Sequence, residues 1–305
     1  MPENPDRGKM QTNRRTFIKS AAACAALLQT HELWANPLGL PIGLQLYSVR
    51  DFLPKNYNGT LQQLGATGYQ QVEAAGFYGH SAADVKHAMD KAGLRCVSAH
   101  YAMADLQPKL DELIRYARDL GLSYLVCSSP MLRHPIPGQS WLASMEAMSL
   151  NDWRWNAGLL NQIGEKVHAA GLQFGYHNHF VEFHQHDGIV PYDELLRITD
   201  PRLVTMEMDC GWVVIGGSRP EHYLRKYASR FSMLHVKEFN LQGWKPGTEP
   251  ISTEMGRGSI DYKAIFAAAK DAPIRHIFVE QEAFPDMPAM QALKADAAWM
   301  KAFPA

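Results

Sequence analysis

The sequence predicts a (β/α)8 barrel, the α/β fold in which eight parallel strands close into a cylinder inside a ring of helices. One observation is the regular alternation of eight short apolar runs with eight amphipathic segments. Another is that polar side chains end nearly every run. A doubly wound open sheet would also alternate, but Gln45-Leu46-Tyr47-Ser48 stands where a Gly-x-Gly-x-x-Gly turn would follow the first strand. The barrel is therefore the favoured fold class.

The elements follow in chain order. The strand candidates lie at 42–47, 70–73, 95–100, 124–128, 174–179, 204–209, 231–237 and 276–281. Helical periodicity follows them at 58–64, 82–92, 108–120, 155–170, 192–198, 219–228, 262–270 and 289–301. Gly93, Gly121 and Gly171 each end a helical pattern just before a strand. Long loops at 129–152 and 239–261 follow the fourth and seventh strands, on the face where barrels bind substrates.

Length and charge suit one barrel domain, which we assign to residues 36–305. The chain has 305 residues, 46% of them hydrophobic, and thirty basic residues stand against thirty-one acidic ones. A net charge of −1 provides no field to attract nucleic acid, and no polybasic run indicates binding to an anionic membrane. We therefore expect a small-molecule partner, and the oligomeric state stays open.

Residues 1–35 are expected to be a leader. Arg14-Arg15 precede a short stretch of small and apolar residues at 20–28, which is far shorter than the ~20 residues of a membrane span. The paired arginines indicate a twin-arginine signal peptide, cut near Ala35. A folded periplasmic protein without stable membrane association is the expectation. A disordered basic terminus or a lipid on Cys24 are the alternatives.

Four strand candidates end in side chains that bind divalent cations. The triplets are His177-Asn178-His179, Glu207-Met208-Asp209, His235-Val236-Lys237 and Glu280-Gln281-Glu282. Side chains alternate along a strand, so the first and third residues of each triplet share one face. Nitrogen and oxygen donors from separate strands form an open site that also admits a substrate, whereas structural zinc more often uses paired cysteines. The pattern predicts a catalytic metal centre.

Over roughly residues 40–301 the chain resembles the xylose isomerase-like barrels known as sugar phosphate isomerases/epimerases. The resemblance is carried, in order, by Ile42-Gly43-Leu44-Gln45-Leu46-Tyr47-Ser48, Gly68-Tyr69-Gln70-Gln71-Val72-Glu73, Gly175-Tyr176-His177-Asn178-His179, Met208-Asp209, Leu234-His235-Val236-Lys237, Gly256-Arg257-Gly258-Ser259-Ile260-Asp261 and Val279-Glu280-Gln281-Glu282. It implies one divalent metal ion, manganese ahead of magnesium, cobalt or zinc. The ligands it implies are His177, Asp209, His235 and Glu280.

The fifth strand departs from that family. It offers His177 where the epimerases use a glutamate that serves as both ligand and base. A metal-bound imidazole cannot accept the substrate proton, and the loss of one carboxylate strengthens the metal as a Lewis acid. Another group must then move the proton, and Glu280 and Lys237 rank ahead of His179. A nearby metal ion is expected to lower the pKa of Lys237.

Five further residues are expected to contact substrate: Trp212, Arg257, Glu73, His100 and Glu282. Trp212 lies just beyond the metal aspartate, where an indole would stack on a sugar face. The alternatives are a packing role for Trp212, a loop role for Arg257, a hydrogen-bonded lining role for His100 and a role in holding loops for Glu73. Glu207 is expected one layer deeper, as a partner of a ligand.

Together these features predict a metal-dependent isomerase, epimerase or lyase that acts on a sugar or keto-sugar by proton abstraction next to a carbonyl. Elimination or hydration at an oxidised glycoside is included, because a 3-keto group acidifies the neighbouring C–H. Export argues against a phosphorylated substrate. The alternatives are a noncatalytic sugar-binding barrel that uses the metal for recognition, and an endonuclease-like phosphodiesterase, which neutral charge disfavours.

Overall fold

Eight parallel strands close into the predicted barrel. The computed structural model describes residues 36–304, so the expected leader at 1–35 lies outside the described residues. The barrel strands are β1 Ile42–Gln45, β2 Gln71–Ala74, β3 Arg95–Ala102, β4 Tyr124–Ser129, β5 Gln173–His177, β6 Thr205–Asp209, β7 Phe231–Val236 and β10 His276–Val279, with a small hairpin formed by β8 Phe239–Asn240 and β9 Ile251–Ser252. Neighbours follow chain order, and β10 pairs with β1 to close the cylinder. The predicted fold class is confirmed.

Helices surround the strands. They are α1 Tyr57–Thr67, α2 Ala82–Ala92, α3 Met103–Leu120, α4 Trp141–Glu146, α5 Leu150–Ala169, α6 Pro191–Ile198, α7 Cys210–Ile215, α8 Pro220–Lys226, α9 Tyr262–Ala269 and α10 Ala289–Ala302. The main apolar core lies between strands and helices. No helix in 36–304 has the length and apolar character that a membrane crossing needs.

The short helices α4 and α7 and the hairpin were not predicted. They contain six residues or fewer per element, too few to show a period. Local contacts define them instead: Asp209 caps α7 by accepting a hydrogen bond from Trp212 N at 2.8 Å, and Ser140 caps α4. α5 begins five residues earlier than predicted because Ser149 and Asp152 form a reciprocal capping box.

Four barrel strands end before their predicted limits, β1 among them at Gln45, and the other three position the site. β5 ends at His177, β7 at Val236 and β10 at Val279, so His179, Lys237 and Glu280 lie just beyond strand ends. These residues are at the C-terminal mouth rather than on regular strand. An apolar plug fills the barrel interior; it consists of Val97, Tyr124, Val126, Met233 and Phe278.

Candidate metal centre and active site

Four donor residues converge at the C-terminal mouth of the barrel. His177, Asp209, His235 and Glu280 each offer one nitrogen or oxygen atom, and these four atoms lie within 4.8 Å of one another. All four residues are buried. Strand register contributes to this convergence, because Asp209 on β6 pairs directly with His235 on β7. The structure thus brings together the ligand set that the sequence resemblance implied.

The spacing of these atoms fits a ligand shell. His235 Nδ1 lies 3.1 Å from Glu280 Oε2 and 3.9 Å from Asp209 Oδ2. Ligands that bind one ion at ~2.0–2.2 Å stand about 3–4 Å apart, as these do. Two imidazoles and two carboxylates suit zinc, manganese or a similar divalent cation.

Two buried polar atoms on residues of this set lack well-aligned hydrogen bonds among the described residues. Asp209 Oδ2 lies 3.2 Å from Lys237 Nζ, and His177 Nδ1 lies 3.2 Å from Glu207 Oε2. The other Asp209 oxygen, Oδ1, is already used to cap α7. Buried polar atoms without partners cost free energy that a bound cation would offset. The donor set therefore fits a metal.

A second carboxylate layer lies beneath the donors. Glu73 Oε1 lies 2.7 Å from His235 Nε2, and Glu207 Oε2 lies 2.6 Å from His100 Nε2. Because His235 Nε2–H donates to Glu73, its Nδ1 lone pair is left to face Glu280 and Asp209. Ser98 and Gln45 also donate to Glu73 and hold it in place. The expected supporting position of Glu207 agrees with this geometry.

His100 lies between the two buried glutamates. Burial alone would lower the pKa of His100, but Glu73 and Glu207 outweigh it and raise this pKa to about 9. Burial would likewise raise the pKa of Glu73, whereas His100 and His235 bring it below its usual range. The layer is thus a set of ion pairs.

An overlapping group could also hold a cation: His100, His177, Glu207 and His235. Its shortest separation is the 2.6 Å between His100 and Glu207, and Glu73 lies 2.7 Å from the same His100 nitrogen. These are hydrogen-bond lengths, shorter than the ~3 Å that separates two ligands of one ion. The upper group is therefore the better metal site.

Lys237 pairs with three carboxylates that were not expected from the sequence. Its Nζ lies 3.2 Å from Asp209 Oδ2 and 2.9 Å from Glu280 Oε2, and it also pairs with Glu282. Burial alone would lower the pKa of Lys237, but these three carboxylates raise it above its ordinary value. The expected lowering by a bound metal ion stays a prediction, and these carboxylates oppose it. Lys237 also stacks on the Trp212 ring at 4.7 Å and is buried behind it.

A cavity of about 530 Å³ opens above the donors. His177 and Glu280 lie on its polar side, together with His179, His100 and Glu282. His179 packs between two indoles, with its ring centroid 4.7 Å from Trp141 and 6.2 Å from Trp212. The volume falls in the range of small-molecule sites.

The remaining predicted residues divide into two groups. Trp212, His179, His100, Glu280 and Glu282 all line the cavity, as expected. Glu73 and Arg257 do not. Glu73 is fully buried beneath His235, and Arg257 is exposed and pairs with Glu254. The structure therefore places both residues away from the expected substrate contacts. Glu73 supports the donor His235, and Arg257 belongs to the loop that follows the hairpin.

Trp141 and Tyr47 are among the cavity residues that were not predicted from the sequence. Trp141 lies on the short helix α4 inside the long loop after β4, and Tyr47 lies just past β1. Neither has a periodic pattern or a polar triplet to mark it. Tyr47 stands in the Gln45-Leu46-Tyr47-Ser48 segment, and its place after a strand end was the one available signal.

Comparisons with known proteins agree with this fold. Residues 61–303 match the family model described as xylose isomerase-like TIM barrel. An inosose dehydratase of Clostridium botulinum (strain Alaska E43 / Type E3) is 26% identical over 252 residues, which cover 74% of this chain and 82% of the relative.

Solved structures give the same result. A sugar phosphate isomerase/epimerase from Parabacteroides distasonis superposes with a TM-score of 0.67 and 26% identity, covering 86% of this chain and 94% of the other. The 3-keto-D-glucoside 4-epimerase of E. coli shares the fold with a TM-score of 0.63 and 15% identity, covering 86% of this chain and 99% of the other. The family match spans most of the chain. This protein belongs to the xylose isomerase-like TIM barrel family.

Proposed function

We propose that this sugar-modifying enzyme is a metal-dependent lyase that removes a proton next to the carbonyl of a keto-sugar and then expels the oxygen substituent one carbon further on. The observation that carries the proposal is the open cavity above a two-histidine, two-carboxylate donor set. Similarity to inosose dehydratases supports elimination, and similarity to a sugar phosphate isomerase/epimerase supports the shared first step, proton abstraction.

The donor set would hold one divalent cation, through His177, Asp209, His235 and Glu280. When bound there, the ion supplies Lewis-acid polarisation of a carbonyl oxygen. The carboxylates of Asp209 and Glu280 offset part of the charge of the ion, and the Glu73–His235 hydrogen bond fixes the imidazole orientation.

We assign the proton transfer to His179. Its ring lines the cavity, it is outside the donor set, and its Nδ1 accepts no hydrogen bond among the described residues. Glu182 accepts the backbone N–H of His179 at 3.0 Å, and two indoles flank the ring, so its position is fixed. Glu280 and Lys237, the groups ranked first from the sequence, are already engaged: one is a metal donor, and the other is a buried ammonium among three carboxylates.

Lys237 then has a positioning role. Its ammonium gathers Asp209, Glu280 and Glu282, which come from two different strand ends. Without this cation the three carboxylates would repel one another in a buried site.

The elimination balances without a further reactant. The C–H bond breaks as His179 takes the proton, the electron pair forms the C=C bond, and the adjacent C–O bond breaks. The leaving oxygen takes a proton and departs as water or as an alcohol. Epimerisation shares the first half and returns the proton to the opposite face.

A panel of keto-sugars tests the proposal. Inososes and 3-keto-glycosides, each incubated with metal-loaded enzyme, are expected to yield unsaturated or dicarbonyl products with loss of water or alcohol. NMR would separate this from epimerisation, where mass is unchanged. Binding without any turnover across the panel would favour the noncatalytic sugar-binding barrel and contradict the lyase.

We also propose export through the twin-arginine pathway, which rests on Arg14-Arg15 and the short apolar stretch at 20–28. Lysine keeps the positive charge but lacks the guanidinium. Changing both arginines to lysine is therefore expected to leave folded protein in the cytoplasm, as measured by cell fractionation and immunoblot. Equal periplasmic recovery of wild type and variant would contradict this route.

A further inference from the structure

Two exposed aromatic rings line the cavity, and they come from different sides of the barrel. Tyr47 follows β1, and Trp141 lies in the loop after β4, where it contacts His179 beyond β5. β1 and β5 are opposite strands of the closed barrel. Both rings line the cavity, and they are 41% and 43% exposed. Exposed aromatic surface in a cleft is a feature of ligand contact.

Polar contacts hold both rings in place. Trp141 Nε1 donates to Ser129 Oγ at 3.0 Å. The Arg50 guanidinium stacks on the Tyr47 ring at 4.3 Å and donates to the Glu282 carbonyl at 3.1 Å. The rings are therefore fixed before any ligand arrives, which lowers the entropic cost of binding.

The cavity lining also includes small residues after β2 and at the end of β3, together with Tyr101 and Asp105. Ala75 and Gly76 follow β2, and Ala102 ends β3. A Cβ atom at Gly76 would meet nothing within 4 Å, so the space above it is open. The cavity of about 530 Å³ is lined by these residues as well as by the donors His177 and Glu280. We define its outer part as the part lined by Tyr47, Ala75, Gly76, Ala102 and Trp141.

We propose that the outer part of the cavity is a subsite for a second ring, joined to the reacting sugar through a glycosidic bond. The ring would present a flat apolar face to Trp141 and Tyr47, as an aromatic aglycone or the C–H face of a second sugar does. This inference rests on the proposed function, because it places the reacting sugar at the metal donors. It makes the physiological substrate a keto-glycoside rather than a free keto-sugar.

Binding of unoxidised glycosides tests the subsite. Dissociation constants of methyl, phenyl and disaccharide glucosides would be measured by calorimetry on the metal-loaded protein. Phenyl glucoside is expected to bind about 3- to 10-fold tighter than methyl glucoside, the range of an aromatic pair. A comparable gain for the disaccharide would identify a second sugar as the occupant; a gain for phenyl alone would identify an aromatic aglycone.

Variants separate the subsite from general binding. Trp141→Ala and Tyr47→Leu are each expected to reduce the phenyl-to-methyl affinity ratio to about one. Ile136→Ala is the matched control: it lies on the same loop as Trp141, is 55% exposed and is not a cavity-lining residue, so it should keep the wild-type ratio.

Two results would overturn the inference. One is a wild-type ratio near one, or no binding of phenyl glucoside at all. The other is an unchanged ratio in both aromatic variants. A different result would contradict the proposed function, namely an absence of turnover across the keto-sugar panel. Turnover of free keto-sugars with a ratio near one would reject the subsite alone, and a high ratio without turnover would reject the lyase alone.

Discussion

Asp209→Ala is expected to lower the affinity for divalent metal by about 100-fold or more, beyond what loss of an outer-sphere partner costs. Asp209 supplies one of four donors, and its Oδ2 has no other hydrogen-bond partner among the described residues. His235→Ala should have a similar effect. Elemental analysis of the dialysed proteins, followed by titration with manganese or zinc, measures the loss.

The control and a graded variant sharpen this test. Asp90→Ala removes an exposed carboxylate on α2 and should bind metal as wild type does. Glu73→Gln should have an intermediate effect of about 10-fold, because it weakens the hydrogen bond that orients His235 without removing a donor. Full metal content in Asp209→Ala together with loss in His100→Ala would assign the ion to the lower group instead.

Strand periodicity was enough to predict the four triplets that carry the donors, and the family resemblance then singled out one residue in each. His177 and Asp209 end regular strands, and His235 lies inside one, so the alternation of side chains places them on the barrel interior. Glu280 lies one residue past β10, where its backbone N–H still bonds to Val236 and continues the strand pattern. Local sequence therefore predicted which strand ends carry the candidate donors, whereas the choice of one residue per strand end came from the resemblance and stays a prediction.

Charge balance and loop contacts could not be predicted in this way. The pKa of Lys237 depends on Glu282 and Asp209, which belong to different strand ends and come together only when the barrel closes. Trp141 reaches the site through a loop whose path is set by tertiary contacts such as the hydrogen bond to Ser129. Arg257 was misplaced for the same reason, because its loop folds toward Glu254.

The positions of His179 and Lys237 separate two assignments of the base. If His179 takes the proton, His179→Gln removes the acceptor while every metal donor stays in place. If Lys237 takes the proton, the acceptor is a buried ammonium that already pairs with three carboxylates. Geometry favours the first assignment, and kinetics in heavy water can distinguish them.

His179→Gln is accordingly expected to lower turnover by at least about 100-fold, the low end of what a positioned base contributes, with metal content unchanged. Wild-type enzyme in D2O should place deuterium at the carbon next to the carbonyl, and this exchange should disappear in the variant. His184→Gln, an exposed histidine on the following loop, should match wild type in both measurements. Lys237→Met should turn over slowly yet still exchange deuterium. The change disturbs the three carboxylates around Lys237 but leaves His179, the proposed base, in place. Exchange that survives in His179→Gln and vanishes in Lys237→Met would reverse the two roles and return the proton transfer to the lysine.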